Sequence, residues 1–290
     1  MQNNKSNGLN FVFFGTPDVA SETLEILKQN GFMPSLIVTS PDARKGRGLH
    51  VEASPVAIFA EKNNIPCLKL NTPSAFSTSP YSRGRLGRGI DLFIVVAYGK
   101  IIPENILNIP KLGSINIHYS LLPKYRGASP VESAILNGDT ETGITIQKMV
   151  YKMDAGDIIA QEKLEIFSDE TTPELRKRLI KIGGELLVKI LKTPSASGHS
   201  PFAGEEEQDE SQATFCQKIK KEDGLIDLED NAVKNYNKFR AYAHWPRTFF
   251  FKDGKRIIIT KAKLENDKFI IEKILPEGKK ETKYEDFLKN

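Results

Sequence analysis

Seven consecutive residues, 91–97 (DLFIVVA), place a polar group only at the entry of an otherwise unbroken apolar run. A strand with one wet face alternates; this one does not, so both of its faces are covered, as in a parallel strand held between helical layers. Asn10-Phe-Val-Phe-Phe14, ended by Gly15, and Ser35-Leu-Ile-Val-Thr39 share the pattern. Between them Asp18–Gln29 reads as an amphipathic helix with Val19, Leu24, Ile26 and Leu27 on its apolar side. Ser54–Lys62 reads as a second helix, with Ser54 as N-cap and Pro55 at the first position. Ile65–Leu70 and Ser114–His118 are further strands. The alternation implies an α/β domain built on a doubly wound, mostly parallel sheet.

Pro173–Leu191 (PELRKRLIKIGGELLVKIL) is a long amphipathic helix that closes this domain, giving a first domain over 1–192. Residues 193–212 are rich in Ser, Pro, Gly and Glu and read as an exposed linker. In 213–290 the period changes. Phe249–Phe251, Arg256–Thr260 and Lys268–Ile274 are strand-like, and Asp253-Gly254 is a hairpin turn, so a small β domain of barrel type is expected. Thr72–Gly89 carries many breakers where a helix would be expected, and reads as a loop.

A length of 290 residues fits about two domains. No apolar run approaches the roughly 20 residues of a membrane span, and Met1–Asn10 is polar, unlike a leader peptide. Cys67 and Cys216 are unpaired in spacing and read as reduced, which favours the cytoplasm. No Cys/His cluster suggests a metal. Residues 211–290 hold 18 Lys+Arg and 13 Asp+Glu, a net +5; the remainder holds 23 and 24, a net −1. A basic C-terminal region could favour a polyanion, but on charge alone a solvated lysine-rich surface is the simpler reading.

Candidate chemistry begins at Ser114-Ile-Asn-Ile-His118. Side chains two apart on a strand share a face, so Ser114, Asn116 and His118 lie opposite Ile115 and Ile117. Polar groups on a strand that should be covered on both faces are unusual. The following loop, Ser120-Leu-Leu-Pro-Lys-Tyr-Arg-Gly127, leaves the strand at its carboxyl end, where open α/β sheets bind ligands. An amide and an imidazole side by side suit acyl-type transfer, because both can stabilise an oxyanion. A lone His is as readily a hydrogen-bonded structural residue. Asp154, in the turn Met153-Asp-Ala-Gly-Asp157, could orient His118 and handle a proton. Asp157 is its neighbour and competitor, and turns favour Asp for local reasons. Gly15-Thr16-Pro17-Asp18 could meet an anion at a helix N-terminus, or simply turn a strand into a helix. Pro41–Leu49 is a glycine-rich loop carrying Arg44, Lys45 and Arg47, suited to a phosphate backbone or to solvent.

Taken together these segments resemble a known family. FFGTPDVASETLEIL, TSPDARKGRG, VVAYGKIIP, INIHYSLLPKYRGASPV, GDTETGITI, MDAGDI and KIKKEDGLIDL occur in the order seen in methionyl-tRNA formyltransferases. Asn116–Gly127 resembles the wider superfamily that uses 10-formyltetrahydrofolate; the GRG loop and the KIKKEDGLIDL segment resemble its tRNA-directed branch. The resemblance implies a doubly wound domain followed by a small OB-like β-barrel. It implies a cytoplasmic enzyme, monomeric and without a metal, that uses 10-formyltetrahydrofolate as formyl donor and initiator methionyl-tRNA as acceptor. The family's catalytic Asn, His and Asp fall on Asn116, His118 and Asp154. Its folate site falls on Val95, Val96, Ala97, Tyr98 and Gly99 and on Ser120, Leu121, Leu122 and Pro123. Its tRNA-contacting loop falls on Arg44, Lys45 and Arg47. A sugar-nucleotide formyltransferase and a noncatalytic tRNA-binding relative are the rival readings. The chain departs from the family at Thr72–Gly89, in its linker and in a tail that looks one strand short of the barrel.

Overall fold

The structure is a computed structural model that describes residues 9–45, 50–79, 81, 89–193, 202 and 205–289; of Lys45 only the backbone is included. Two compact units emerge: Met1–Pro123 with Ile144–Glu162 and Ile180–Gln212, and Lys124–Gly143 with Lys163–Leu179 and Ala213–Asn290.

The sheet that organises the first unit has seven strands: β1 (Phe11–Gly15), β2 (Leu36–Thr39), β3 (Cys67–Lys69), β4 (Leu92–Val96), β5 (Ser114–His118), β6 (Glu141–Lys148) and β7 (Ile158–Glu165). Their order is β7-β6-β5-β4-β1-β2-β3. The chain starts in the middle, moves outward through β2 and β3, then returns to place β4 on the other side of β1. Pairs among β1 to β5 are parallel, and β6 runs antiparallel to β5. β1 and β4 are buried at every position, as their unbroken apolar runs require.

The connecting helices follow their sequence signals. α1 spans Asp18–Gln29 and α2 spans Pro55–Lys62. The Ser54 hydroxyl caps α2 by accepting from the Ala57 N–H at 3.1 Å. A short α3 (Glu104–Leu107) precedes β5. Within Thr72–Gly89 the outcome is more ordered than a loop. Pro73–Phe76 forms a 3-10 turn, and Phe76 is fully buried, its ring 5.7 Å from that of Phe14 and 5.5 Å from that of Phe93. Pro80 and residues 82–88 lie outside the described residues.

The second unit contains α4 (Pro130–Leu136) and the beginning of α5 (Thr172–Lys192), the long helix read from the sequence. It also holds α6 (Ala232–Ala241), β8 (Phe249–Lys252), β9 (Lys255–Glu265), β10 (Lys268–Pro276), β11 (Thr282–Lys283) and α7 (Tyr284–Leu288). The four strands make an antiparallel sheet in chain order. Asp253-Gly254 is the expected two-residue turn, with φ of 51° and 72°. Asn266-Asp267 makes a second such turn, at 49° and 56°, without a glycine. One face packs Ile226, Phe250, Ile257, Ile259, Ile271 and Ile274 into a small core.

Candidate active site

The carboxyl ends of β1, β4 and β5 come together where the strand order reverses, the usual crevice of an open α/β sheet. Gly15 pairs with Val96, and Val95 with Asn116. The Thr16 hydroxyl, just beyond β1, lies 3.2 Å from Ser40 Oγ and 3.4 Å from the Tyr98 carbonyl oxygen, so it ties three strand ends together. Past β4 the backbone kinks sharply: Ala97 has φ of 46° and Gly99 of 75°. Ala97 and Gly99 are exposed, whereas Val95, Val96 and Tyr98 are buried. Burial pushes the Tyr98 phenol up to about 12.

Across β5 and β6, Asn116 stands opposite Gln147 and His118 opposite Thr145. Paired residues of adjacent strands share a face. One face therefore carries Asn116, His118, Thr145 and Gln147 in a polar block, while Ile117 and Ile144 take the other. That other face meets Gly183 of α5, where an added Cβ would come within 3.3 Å of both isoleucines. The close approach accounts for Gly183, and its neighbour Gly184 is set by α1, where an added Cβ would lie 2.6 Å from Ile26 Cδ1.

Thr145 anchors the loop after β5. Its buried hydroxyl donates to the Ser120 carbonyl at 2.7 Å and accepts from the Leu122 N–H at 3.1 Å and from Gln161 Nε2 at 2.8 Å. Gln161 also donates to the Leu122 carbonyl at 2.8 Å. Ser120 and Leu122 are consequently buried, Leu121 and Pro123 partly so, and the Leu122–Pro123 bond is cis.

Asp154 joins this block. Its Oδ2 lies 3.7 Å from His118 Nδ1, within ion-pair reach and beyond a hydrogen bond, and both side chains are largely buried. Its backbone is left-handed, with φ of 49°, a conformation Asp tolerates better than most residues. Two positions later an added Cβ on Gly156 would lie 2.0 Å from the Lys148 carbonyl oxygen. Only glycine lets the Asp154 turn press this closely against β6.

Two glutamines complete the arrangement, and sequence reasoning missed both. Gln147 Nε2 donates to Asp154 Oδ1 at 3.0 Å. Gln208 donates to the Asp154 carbonyl at 3.0 Å and to the Gly156 carbonyl at 2.7 Å. This corrects the expectation of an exposed linker at Gln208, while Glu206, Glu207 and 209–212 are exposed as expected. Residues 194–201, 203 and 204 lie outside the described residues, but 205–210 is docked. Glu206 and Ile158 exchange backbone hydrogen bonds at 2.8 and 2.9 Å, Glu205 pairs with Lys148, and Glu210 pairs with Lys152 at 2.8 Å. Gln147 directly follows the GDTETGITI motif and, once β6 pairs with β5, faces Asn116. Gln208 sits in the polar run GEEEQDES, which gives no sign of burial.

The cationic candidates belong to the segment that follows β2. The expected Pro41–Leu49 loop is in part a hairpin: Ala43–Lys45 pairs antiparallel with His50–Glu52, and Arg44 is exposed on it. The Lys45 side chain and all of 46–49, Arg47 included, lie outside the described residues.

The polar block beside the switch point brings together an amide, an imidazole and a carboxylate, groups that suit the transfer of an acyl-type group. The chain belongs to the formyl transferase family: residues 9–191 match the family's formyl transferase domain, and 218–270 match its C-terminal domain. Within the family its sequence is similar to methionyl-tRNA formyltransferases. That of Thermotoga sp. (strain RQ2) is 41% identical over 251 residues, 86% of this chain and 78% of the relative. That of Geobacter sulfurreducens is 39% identical over 253 residues, 86% and 77% respectively. In fold the chain is similar to the methionyl-tRNA formyltransferase from Clostridium thermocellum, with TM-score 0.62, 18% identity and coverage of 92% of this chain and 98% of the other. It is as similar to an N-formyltransferase from Helicobacter canadensis solved with folinic acid and dTDP-3-aminofucose, with TM-score 0.65, 20% identity and coverage of 89% and 88%.

Proposed function

We propose that the chain transfers a formyl group from 10-formyltetrahydrofolate to the α-amino group of methionine on initiator methionyl-tRNA, with Asn116, His118 and Asp154 as its catalytic residues. The observation that carries this reading is the assembly of those three residues beside the switch point, Asn116 and His118 on one sheet face and Asp154 3.7 Å from the imidazole. Ala97–Gly99 and the Ser120–Pro123 loop would hold the folate. The kink that exposes Ala97 and Gly99 beside buried Val95 and Val96 leaves backbone groups accessible at the strand end, as a flat heterocycle requires. The donor supplies the formyl group as an amide whose nitrogen can depart.

An α-amino group titrates near 7.7–8.0 in model compounds, so close to neutral pH a useful fraction is already nucleophilic. As its nitrogen bonds to the formyl carbon, the carbonyl oxygen takes the electron pair. Asn116 donates to that oxygen. His118 adds a second donor, then protonates N10 as the carbon–N10 bond breaks. Asp154 holds the ring through its Nδ1 side and accepts the proton shed by the attacking nitrogen, directly or through water. We take the chain to act as a monomer.

The choice of acceptor rests on different features. Arg44, Lys45 and Arg47, together with the basic C-terminal region, suit a phosphate backbone. We assign 1–192 as the catalytic domain, 193–212 as the connection and 213–290 as an OB-like barrel built on the antiparallel sheet, with the cytoplasm as the site of action. The fold is shared with sugar N-formyltransferases, so an amino-sugar nucleotide is the second reading. The test is a formylation assay offering methionyl initiator tRNA, uncharged tRNA, free methionine and a dTDP-amino sugar separately. Transfer to methionyl-tRNA alone is expected. Transfer to the sugar nucleotide alone, or to none, overturns the reading.

A further inference from the structure

Asp154 is held by a relay whose polarity the backbone fixes. Gln208 is buried, and its Nε2 faces three oxygens: the Asp154 and Gly156 carbonyls at 3.0 and 2.7 Å, and Gln147 Oε1 at 3.4 Å. Backbone carbonyls only accept, so the Gln208 amide can sit in one of its two orientations, with nitrogen toward them. That nitrogen then faces the Gln147 amide, which must present its own oxygen. Gln147, also buried, is thereby forced to turn Nε2 the other way, toward Asp154 Oδ1 at 3.0 Å. Oδ1 is thus taken from one side, and Oδ2 is the oxygen directed at His118 Nδ1.

The segment carrying Gln208 is built to deliver it. The Glu206–Ile158 bridge and the Lys148–Glu205 and Lys152–Glu210 ion pairs fasten 205–210 on both sides of the Asp154 turn. A left-handed Asp beside a glycine that touches β6 is a conformation that needs external support, and this strap supplies it.

We infer that Gln208 and Gln147 are positioning residues, which together fix the rotamer and backbone of Asp154 so that one carboxylate oxygen is aimed at His118. The inference rests on Asp154 being the catalytic carboxylate. A misplacement of about 1 Å at a reacting group can cost on the order of 100-fold in rate.

The test uses the full chain with Gln208→Met, which keeps the length of the side chain and removes its donor, and separately Gln147→Glu, which replaces the donor facing Asp154 with a carboxylate. Each is made with Asp154 intact and in an Asp154→Asn background, and formyl transfer is followed at steady state. With Asp154 intact, kcat should fall roughly 10- to 100-fold, with KM for folate and for tRNA each within about 2-fold and the thermal midpoint recording that the variant is folded. In the Asp154→Asn background the same changes should cost less than about 2-fold, because residues acting through one group are not additive. Equal losses in both backgrounds would mean that the glutamines merely support the fold, and would overturn the inference. So would full activity of both variants beside an inactive Asp154→Asn. If Asp154→Asn itself turns over normally, the reading of the site fails first and this inference with it. Should Gln208→Met fail to fold, Gln147→Glu is judged by the same criteria.

Discussion

The 3.7 Å between His118 and Asp154 is too long for a hydrogen bond and short enough to become one with a small rotation. Catalytic contacts often tighten only when substrate is bound. His118→Ala and Asp154→Asn should therefore lower kcat by roughly 100-fold or more, the scale of a lost general acid or base, while KM for tRNA changes far less. Steady-state kinetics at saturating folate measure this, and near wild-type turnover in either variant would remove that residue from the mechanism. Asn116 and His118 were legible in the sequence because strand alternation is local: it needs no knowledge of neighbours to put them on one face. Gln147 and Gln208 were not. A glutamine on an exposed surface and one buried against two carbonyls look alike in sequence, and only the fold of distant segments distinguishes them.

Among elements, legibility followed the source of each signal. β1, β2 and β4 announce themselves by apolar content, and α2 by its Ser-Pro start. α6 escaped because its buried face is polar. Asn235, Asn237 and Arg240 are buried: Asn235 donates to the Asp227 carbonyl, and Arg240 donates to Asn237 Oδ1 and to the Phe167 and Glu170 carbonyls. Its apolar residues at helical spacing, Val233, Tyr236 and Phe239, are few and only partly covered, although Asn231 caps the helix by accepting from Lys234 N–H. The 3-10 turn at Pro73–Phe76 escaped for the opposite reason: one aromatic anchors a stretch otherwise full of breakers. Phe76→Ala would leave a hole among Phe14, Phe93 and their neighbours in the core. It should lower unfolding free energy by about 3–5 kcal/mol, read as a shift in urea midpoint. A change below about 1 kcal/mol, less than the usual cost of emptying a core site, would mean that the turn does not hold the ring in solution.

At the scale of the whole molecule the question is what selects the acceptor. Arg47→Ala should raise KM for tRNA several-fold and leave folate affinity unchanged. Added salt should weaken tRNA use for the wild type more steeply than for the variant, since each lost phosphate contact removes released counterions. Equal KM values for the two proteins at every salt concentration would detach the GRG loop from tRNA binding. The doubly wound architecture was readable because its strands alternate with helices along the chain. The role of Gln208 was not, because residues 205–210 look like a tether by composition and act as a brace by contact. The family's formyl transferase match stops at residue 191, yet Gln208 lies beyond it and holds the Asp154 turn. For anyone recombining domains from different members of this family, the seam therefore belongs after Gln212. A chimera joined at the end of α5 would import a foreign brace, and its Asp154 would be aimed by a sequence that had never been matched to it.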